Sequence, residues 1–429
     1  MEPAASPSPA RSPVPKVDGA GDRHALVLSG GGARGAYEIG VMKALFEGTA
    51  STCRNGPLAV RIFTGTSVGA YNAAFLAQEE NPGADSLQRL EALWRERIAN
   101  TLEKCGNGVY RLRADPLRLL DPGCLSNPLQ LLTGFGRDVL FWSGAAAAYG
   151  TQLLTSDAPY RVRLVESFNL TLLFSLDPLD SLLRETIDLS RLSAAPNALD
   201  VAVTDWRNGT AKVFRKADVI RLGVDAIKAS TAFPGIFPPV PLEGTVYVDG
   251  ALRSNTPIKP AIREGANVLH VIFVDPETNE IPLPWQEGAL PSTADALYRF
   301  YTIIISAQLN HDMRHAATIN EEIAARGAVA AGGELPAVRA SRARRMRRGT
   351  APPSSAAKVY QPITIHSYRP LTDLMGAEAF LDFSSSNVNM FIDQGYKDAV
   401  NHDCLLQGCV LSPGVPVVSP ARRLAEVEA

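Results

Sequence analysis

Gly65-Thr66-Ser67-Val68-Gly69 is a G-x-S-x-G pentapeptide set between an apolar run and a helix-compatible stretch. In that setting the central serine is forced into a sharp turn that exposes its hydroxyl, and the small flanking residues let strand and helix approach. The start of the helix behind it favours developing negative charge. This is the chemistry of a nucleophile, although a small-residue turn of the same kind also arises without catalysis.

A second feature, Gly30-Gly31-Gly32-Ala33-Arg34-Gly35, follows an earlier apolar run. Such a loop can aim several backbone N–H groups into one concavity, where they bind an oxyanion or a phosphate. A tight turn alone would need one or two of these glycines. The hexapeptide also satisfies G-x-G-x-x-G, so a dinucleotide-binding oxidoreductase is the rival reading. That rival needs an acidic residue closing the second strand to hold a ribose, and no Asp or Glu occurs between Thr49 and Ala77. Gly30, Gly31, Gly32, Arg34 and Gly35 therefore read better as an oxyanion loop serving Ser67.

A serine nucleophile needs a base, most often histidine. His24 precedes the first strand, His270 sits mid-strand in VLHVIFV, and His311 and His315 share a helical face. His366 and His402 lie in the C-terminal third, away from any recognisable loop motif, so all six read as structural. Asp249, in VYVDGALRSNTPI, ends a strand at a sharp turn. Shielded by the apolar segment FPGIFPPV, it could have a raised pKa and accept the serine proton directly. Local sequence leaves it level with two other strand-end acids, Asp205 and Asp275, and an Asp-Gly turn needs no catalysis.

The elements that must position these residues are strands alternating with helices. HALVLS from His24 leads through the glycine loop into AYEIGVMKALFEG, and VRIFT from Val60 leads through the pentapeptide into VGAYNAAFLAQ. Further strands are expected at ALDVAVTD, TAKVFR, TVYVD and NVLHVIFVD, and helices at SLQRLEALWRERI and DALYRFYTIIISAQLNHDMRH. That grammar predicts an α/β fold with a mostly parallel sheet covered on both faces. Residues 1–23 read as a disordered leader rich in Pro, Ser and Ala, residues 24–402 as the catalytic domain, and residues 403–429 as a C-terminal tail. Within the domain, about 115–176 reads as a cap or insertion and about 331–358, with its six arginines, as a disordered loop.

Composition narrows the class of partner. With 42 basic and 44 acidic residues, the net charge of -2 supplies no global field for nucleic acid. No apolar run reaches the ~20 residues a spanning helix needs. The nearest, residues 139–154, reads as a buried or cap helix, with insertion at a bilayer surface as the sharper alternative. Five scattered cysteines form no C-x-x-C pair and no pattern with neighbouring histidines, so they are expected to be mostly reduced thiols in a cytoplasmic protein and not metal ligands.

Together, GGGARG, GTSVG, ASTAFPGIFPPV and DGALRSNTP resemble the patatin-like phospholipase family. The likeness spans about His24 to Asp121 and Ser175 to Asp275, with a weaker echo in DFSSSNVNMFIDQGYKDA. It implies a three-layer α/β/α fold and a Ser-Asp dyad with no histidine, cofactor or obligatory metal. By position it makes Ser67 the nucleophile and Asp249 the proton acceptor, and it sets Asp205 and Asp275 aside. The substrate implied is a lipid ester, met in solution or at a membrane surface; a catalytically silent lipid-binding protein is the further alternative. Residues 123–173 match nothing in the family pattern, so head-group and acyl preference stay open.

Overall fold

A computed structural model describes residues 21–53, 56–100, 105–113, 120–155, 173–275, 293–330, 361–371 and 378–412, with positions 115, 118, 374, 375, 415 and 417 besides. Nearly all of the expected leader, the arginine-rich segment 331–358 and the last dozen residues lie outside the described residues.

The strands are β1 (His24–Leu28), β2 (Ile62–Thr66), β3 (Arg111–Leu112), β4 (Phe174–Ser175), β5 (Ala198–Asp205), β6 (Thr210–Arg215), β7 (Val240–Leu242), β8 (Thr245–Asp249), β9 (Val268–Ile272) and β10 (Thr364–Tyr368). Among the described residues eight of them form one sheet, in the order β10-β9-β1-β2-β5-β8-β7 with β6 also on β5, while β3 and β4 pair separately. β10, β9, β1, β2 and β5 run parallel; β6, β7 and β8 add antiparallel pairs. Both faces are covered, as the continuous apolar character of the parallel strands requires. Leu26 and Leu28 of β1 join a core with α1 (Gly35–Glu47) and α2 (Val68–Ala77). The alternate residues Ala25 and Val27 join a second core beneath α5 (Ile258–Arg263), where Ala316 of α6 (Thr293–Ala330) also packs.

Helix α7 (Ser385–Val400) lies against α1 at close range, because glycines face each other across the contact. A Cβ on Gly40 would come 1.9 Å from the Ile392 carbonyl oxygen, and one on Gly395 would come 2.1 Å from that of Tyr37. The Tyr37 hydroxyl donates to Asp398 at 3.0 Å on the same interface. This gives the DFSSSNVNMFIDQGYKDA segment a place in the fold.

The expected insertion contains α3 (Pro128–Thr155), a helix of 28 residues. Arg111 of β3 anchors it through Asp138 at 2.7 Å, and Arg113 stacks over Phe141. Its outer side exposes Leu129, Leu132, Phe135 and Leu140. Among the described residues no helix is long and apolar enough to cross a membrane. Cys53, Cys404 and Cys409 are not disulfide-bonded, so most of the five cysteines are thiols as expected, while Cys105 and Cys124 form a disulfide that ties the start of the insertion to the segment before it. Their separation of 19 residues carries no spacing signal in the sequence, and only the folding back of the chain brings them together.

Candidate active site

Ser67 caps the N-terminus of α2 with φ 55 and ψ -124, a conformation that costs a non-glycine residue roughly 1–3 kcal/mol. Its neighbours must be small. A Cβ at Gly65 would lie 2.3 Å from the Gly69 carbonyl oxygen, and one at Gly69 would lie 2.6 Å from that of Leu28. The turn is held from a third side: the Ser67 N–H donates to the Ser230 hydroxyl at 2.8 Å, and that hydroxyl donates to the Ala202 carbonyl at 2.6 Å. Ser230 belongs to α4 (Asp225–Ser230), at the head of the segment ASTAFPGIFPPV.

The sheet itself brings Asp249 to this turn. β2 pairs in parallel with β5 as far as Thr66 opposite Ala202, and β8 pairs antiparallel with β5 from Tyr247 opposite Asp205 to Asp249 opposite Val203. Because β6 occupies the other edge of β5 over Asp200–Asp205, β2 and β8 share one edge and meet head-on. Ser67 and Asp249 are the residues at that meeting point. The Asp249 carboxyl accepts the Ala251 N–H at 2.8 Å, and the Ser67 hydroxyl is a second polar neighbour that favours its charged form. Burial pushes the Asp249 carboxyl up to about 7, and the Ala251 N–H and the Ser67 hydroxyl hold it from rising further.

The other strand-end acids are engaged elsewhere. Asp205 accepts the N–H groups of Arg207 and Asn208 and so caps the β5–β6 turn. Asp275 pairs with Arg34, whose side chain is fully buried.

The glycine loop lies directly against Ser67. A Cβ on Gly30 would come 3.0 Å from the Ser67 Cβ and 2.7 Å from Asn255 Oδ1. Asn255 clamps Gly30 from both sides, accepting its N–H at 3.1 Å and donating to its carbonyl at 3.3 Å. The Gly35 N–H turns back onto the Gly32 and Ala33 carbonyls. Among the described residues, the N–H groups of Gly31 and Gly32 have no acceptor. Gly32 sits at φ 61, where a side chain would strain the backbone and meet the Phe380 carbonyl oxygen at 2.1 Å. Arg34 does not line the cavity beside Ser67; its Nε donates to the Gly31 carbonyl at 3.3 Å from beneath the loop.

That cavity, of about 50 Å³, is bounded by Ser67 and Gly32 and otherwise mostly by apolar side chains. Phe233 and Phe237 come from the segment expected to shield Asp249. Trp94, Leu182, Phe380 and Phe383 come from three further stretches that carry no motif. Sequence reasoning missed these, and Asn255 and Ser230, because each acts only through long-range packing.

Of the histidines whose side chains are described, His24, His270, His366 and His402, none lines this cavity. Instead His366 and His402 come together with Cys404 and Cys409, four residues that could hold a metal ion, although the sequence pointed to none. The only trace in the chain is the run His402-Asp403-Cys404 followed by Cys409.

A family model described as Patatin-like phospholipase matches residues 26–262. Among solved structures, the chain is similar to the crystal structure of VipD from Legionella pneumophila at 14% identity and a TM-score of 0.30, over 87% of this chain and 67% of that one. A superposition that loose carries no argument about this protein.

Proposed function

The chain belongs to the patatin-like phospholipase family, and from that premise we propose that it cleaves carboxylic esters of lipids through Ser67 and Asp249. The observation that carries this reading is the strand pairing that brings Ser67 to a buried carboxyl pushed up to about 7. A carboxyl so placed is a base near neutral pH, matched to taking a hydroxyl proton.

In the proposed reaction Asp249 takes the Ser67 proton as Oγ attacks the ester carbonyl carbon. The carbonyl oxygen becomes an oxyanion held by the N–H groups of Gly31 and Gly32, with the N-terminus of α2 adding its dipole. Collapse of this intermediate breaks the ester bond, and the leaving alcohol takes the proton from Asp249. Water then attacks the acyl-serine with Asp249 again as base, releasing the fatty acid and restoring Ser67. Arg34, paired with Asp275 and bonded to the Gly31 carbonyl, orients the loop and does not touch substrate. The apolar cavity accommodates part of an acyl chain, and the exposed apolar side of α3 suits contact with a lipid surface.

The test is a fluorophosphonate label on the intact protein followed by peptide mapping, with ester hydrolysis measured for Ser67→Ala and Asp249→Asn. Labelling at Ser67 and loss of turnover in both variants support the dyad. Labelling elsewhere, or full activity in Asp249→Asn, rejects it; liposome binding without any label would favour a silent lipid-binding protein.

A further inference from the structure

Away from the Ser67 cavity, β10 is the outer strand at one side of the sheet, and the chain returns to it after α7. Residues expected in the tail are part of this return: Val410 bridges Ile365 of β10 in antiparallel fashion. Between strand and returning segment lie His366, His402, Cys404 and Cys409, whose ligand atoms all fall within 4.8 Å of one another. His366, His402 and Cys404 are buried, and Cys409 is half-buried.

The geometry points to a structural Zn²⁺ site with His366, His402, Cys404 and Cys409 as its four ligands. A tetrahedral zinc ion with Zn–S of ~2.3 Å and Zn–N of ~2.05 Å sets sulfur-to-nitrogen edges of ~3.6 Å. Three of the six edges are 3.3 Å from Cys409 Sγ to His402 Nε2, 3.4 Å from Cys404 Sγ to the same atom, and 3.7 Å from Cys404 Sγ to His366 Nδ1, and the remaining edges fall within 4.8 Å. Two soft sulfurs and two imidazoles select zinc over magnesium or calcium. Four protein ligands close the tetrahedron, which is the pattern of a structural and not a catalytic site. Two thiolates also neutralise the charge of the ion in a buried setting.

The surroundings orient the ligands as metal sites require. His402 Nδ1 lies 2.8 Å from Gln407 Oε1, an acceptor, so the proton sits on Nδ1 and Nε2 presents its lone pair to the sulfurs. The Ser367 N–H donates to Cys409 Sγ at 3.3 Å, fixing the position of that sulfur. Cys404 and Cys409 face each other because the Cys409 N–H bonds the Cys404 carbonyl at 3.0 Å, with Gly408 at φ 66 turning the chain between them. Zinc would fasten the outer strand to the returning chain, where the apolar contacts Leu405 and Leu406 contribute little because both side chains are exposed.

The experiment uses the full chain, freed of any affinity tag and purified under reducing conditions without chelator. Elemental analysis is expected to find about one zinc per chain. Co²⁺ exchanged into the site should give the intense visible bands of a tetrahedral ion with thiolate charge transfer. Cys404→Ser and Cys409→Ser should each lose the stoichiometric metal, whereas Cys53→Ser keeps it. Gln407→Ala leaves all four ligands in place and should weaken Zn²⁺ binding by about 10- to 100-fold, which guards against variants that fail to fold. The proposal is overturned by a folded protein that neither contains nor takes up Zn²⁺, by a Cys404–Cys409 disulfide that persists under reduction, by an octahedral Co²⁺ spectrum, or by equal zinc in wild type and both serine variants.

Discussion

Thr66 and Asp249 sit opposite consecutive residues of β5, Ala202 and Val203, on the same edge of that strand. One strand arrives in parallel and the other antiparallel, so their carboxyl ends meet. The serine that follows Thr66 and the acid that ends β8 are thus joined by main-chain pairing, without relying on a flexible loop. Rigid elements hold such constellations more tightly than loops do.

The raised Asp249 carboxyl has two consequences of opposite sign. The proposed reaction needs the ionised form, so kcat/KM for a soluble ester should rise with pH through about 7. Stability runs the other way. A folded-state pKa above the unfolded value means that the folded state binds the proton more tightly, so stability is fully present below about 4 and is lost as pH rises through about 7. Asp200, pushed up to about 7 by burial and then by Glu264, adds to the same window. Asp249→Asn should therefore lose turnover while flattening part of the fall in denaturation midpoint between pH 4 and 7, and Asp200→Asn should flatten part without losing turnover. Urea melts of the three proteins across that range check both statements.

Ser67 adopts a positive φ that glycine reaches without penalty. Ser67→Gly and Ser67→Ala should both be inactive, yet differ in stability. Glycine should be the more stable of the two by about 1 kcal/mol, since alanine keeps the strain and loses the hydroxyl. Equal melting temperatures would mean the turn is not strained.

Gly32→Ala should lower kcat by about 10²- to 10³-fold if its N–H holds the oxyanion. The added Cβ would meet the Phe380 carbonyl oxygen at 2.1 Å, so the loop must shift. Thermal melts of the same variant separate a displaced loop from a lost fold, and an unchanged kcat in a folded protein would remove Gly32 from the hole.

Much of this was legible in the chain because both motifs are local. GGGARG and GTSVG each lie between a strand and a helix, and the parallel strands declare themselves by unbroken apolar runs such as HALVL. The choice among Asp205, Asp249 and Asp275 was not local. It depends on which edge of β5 each neighbouring strand takes, and no short window encodes that. For the same reason Arg34 read as part of the oxyanion loop, when its side chain pairs with Asp275, more than two hundred residues away. His366 meeting His402, Cys404 and Cys409 is hidden likewise, since a strand and a distant turn must first be packed together.

Because Arg34 is wholly buried, Asp275→Asn should leave a cation without its carboxylate at a cost of roughly 3–5 kcal/mol, an upper range since Asp275 is partly exposed. The Gly31 carbonyl bonded to Arg34 Nε should shift with it, so kcat falls even at temperatures where the variant is folded. Calorimetry and single-turnover hydrolysis on one preparation test the two effects together; full kcat in a destabilised variant would make the pair purely structural.

Phe237 and Phe233 narrow the cavity at Ser67, and its volume of about 50 Å³ is too small for a long acyl chain without movement of these rings. Phe237→Leu shortens the wall while keeping it apolar. A methylene in such a pocket is worth about 1–3 kcal/mol in discrimination, so the ratio of kcat/KM for long against short p-nitrophenyl esters should rise by roughly tenfold or more. The same substitution at Phe214, buried against Tyr247 and absent from the cavity wall, should change stability without changing that ratio. If both variants shift the chain-length profile equally, the cavity at Ser67 is not where the acyl chain lies.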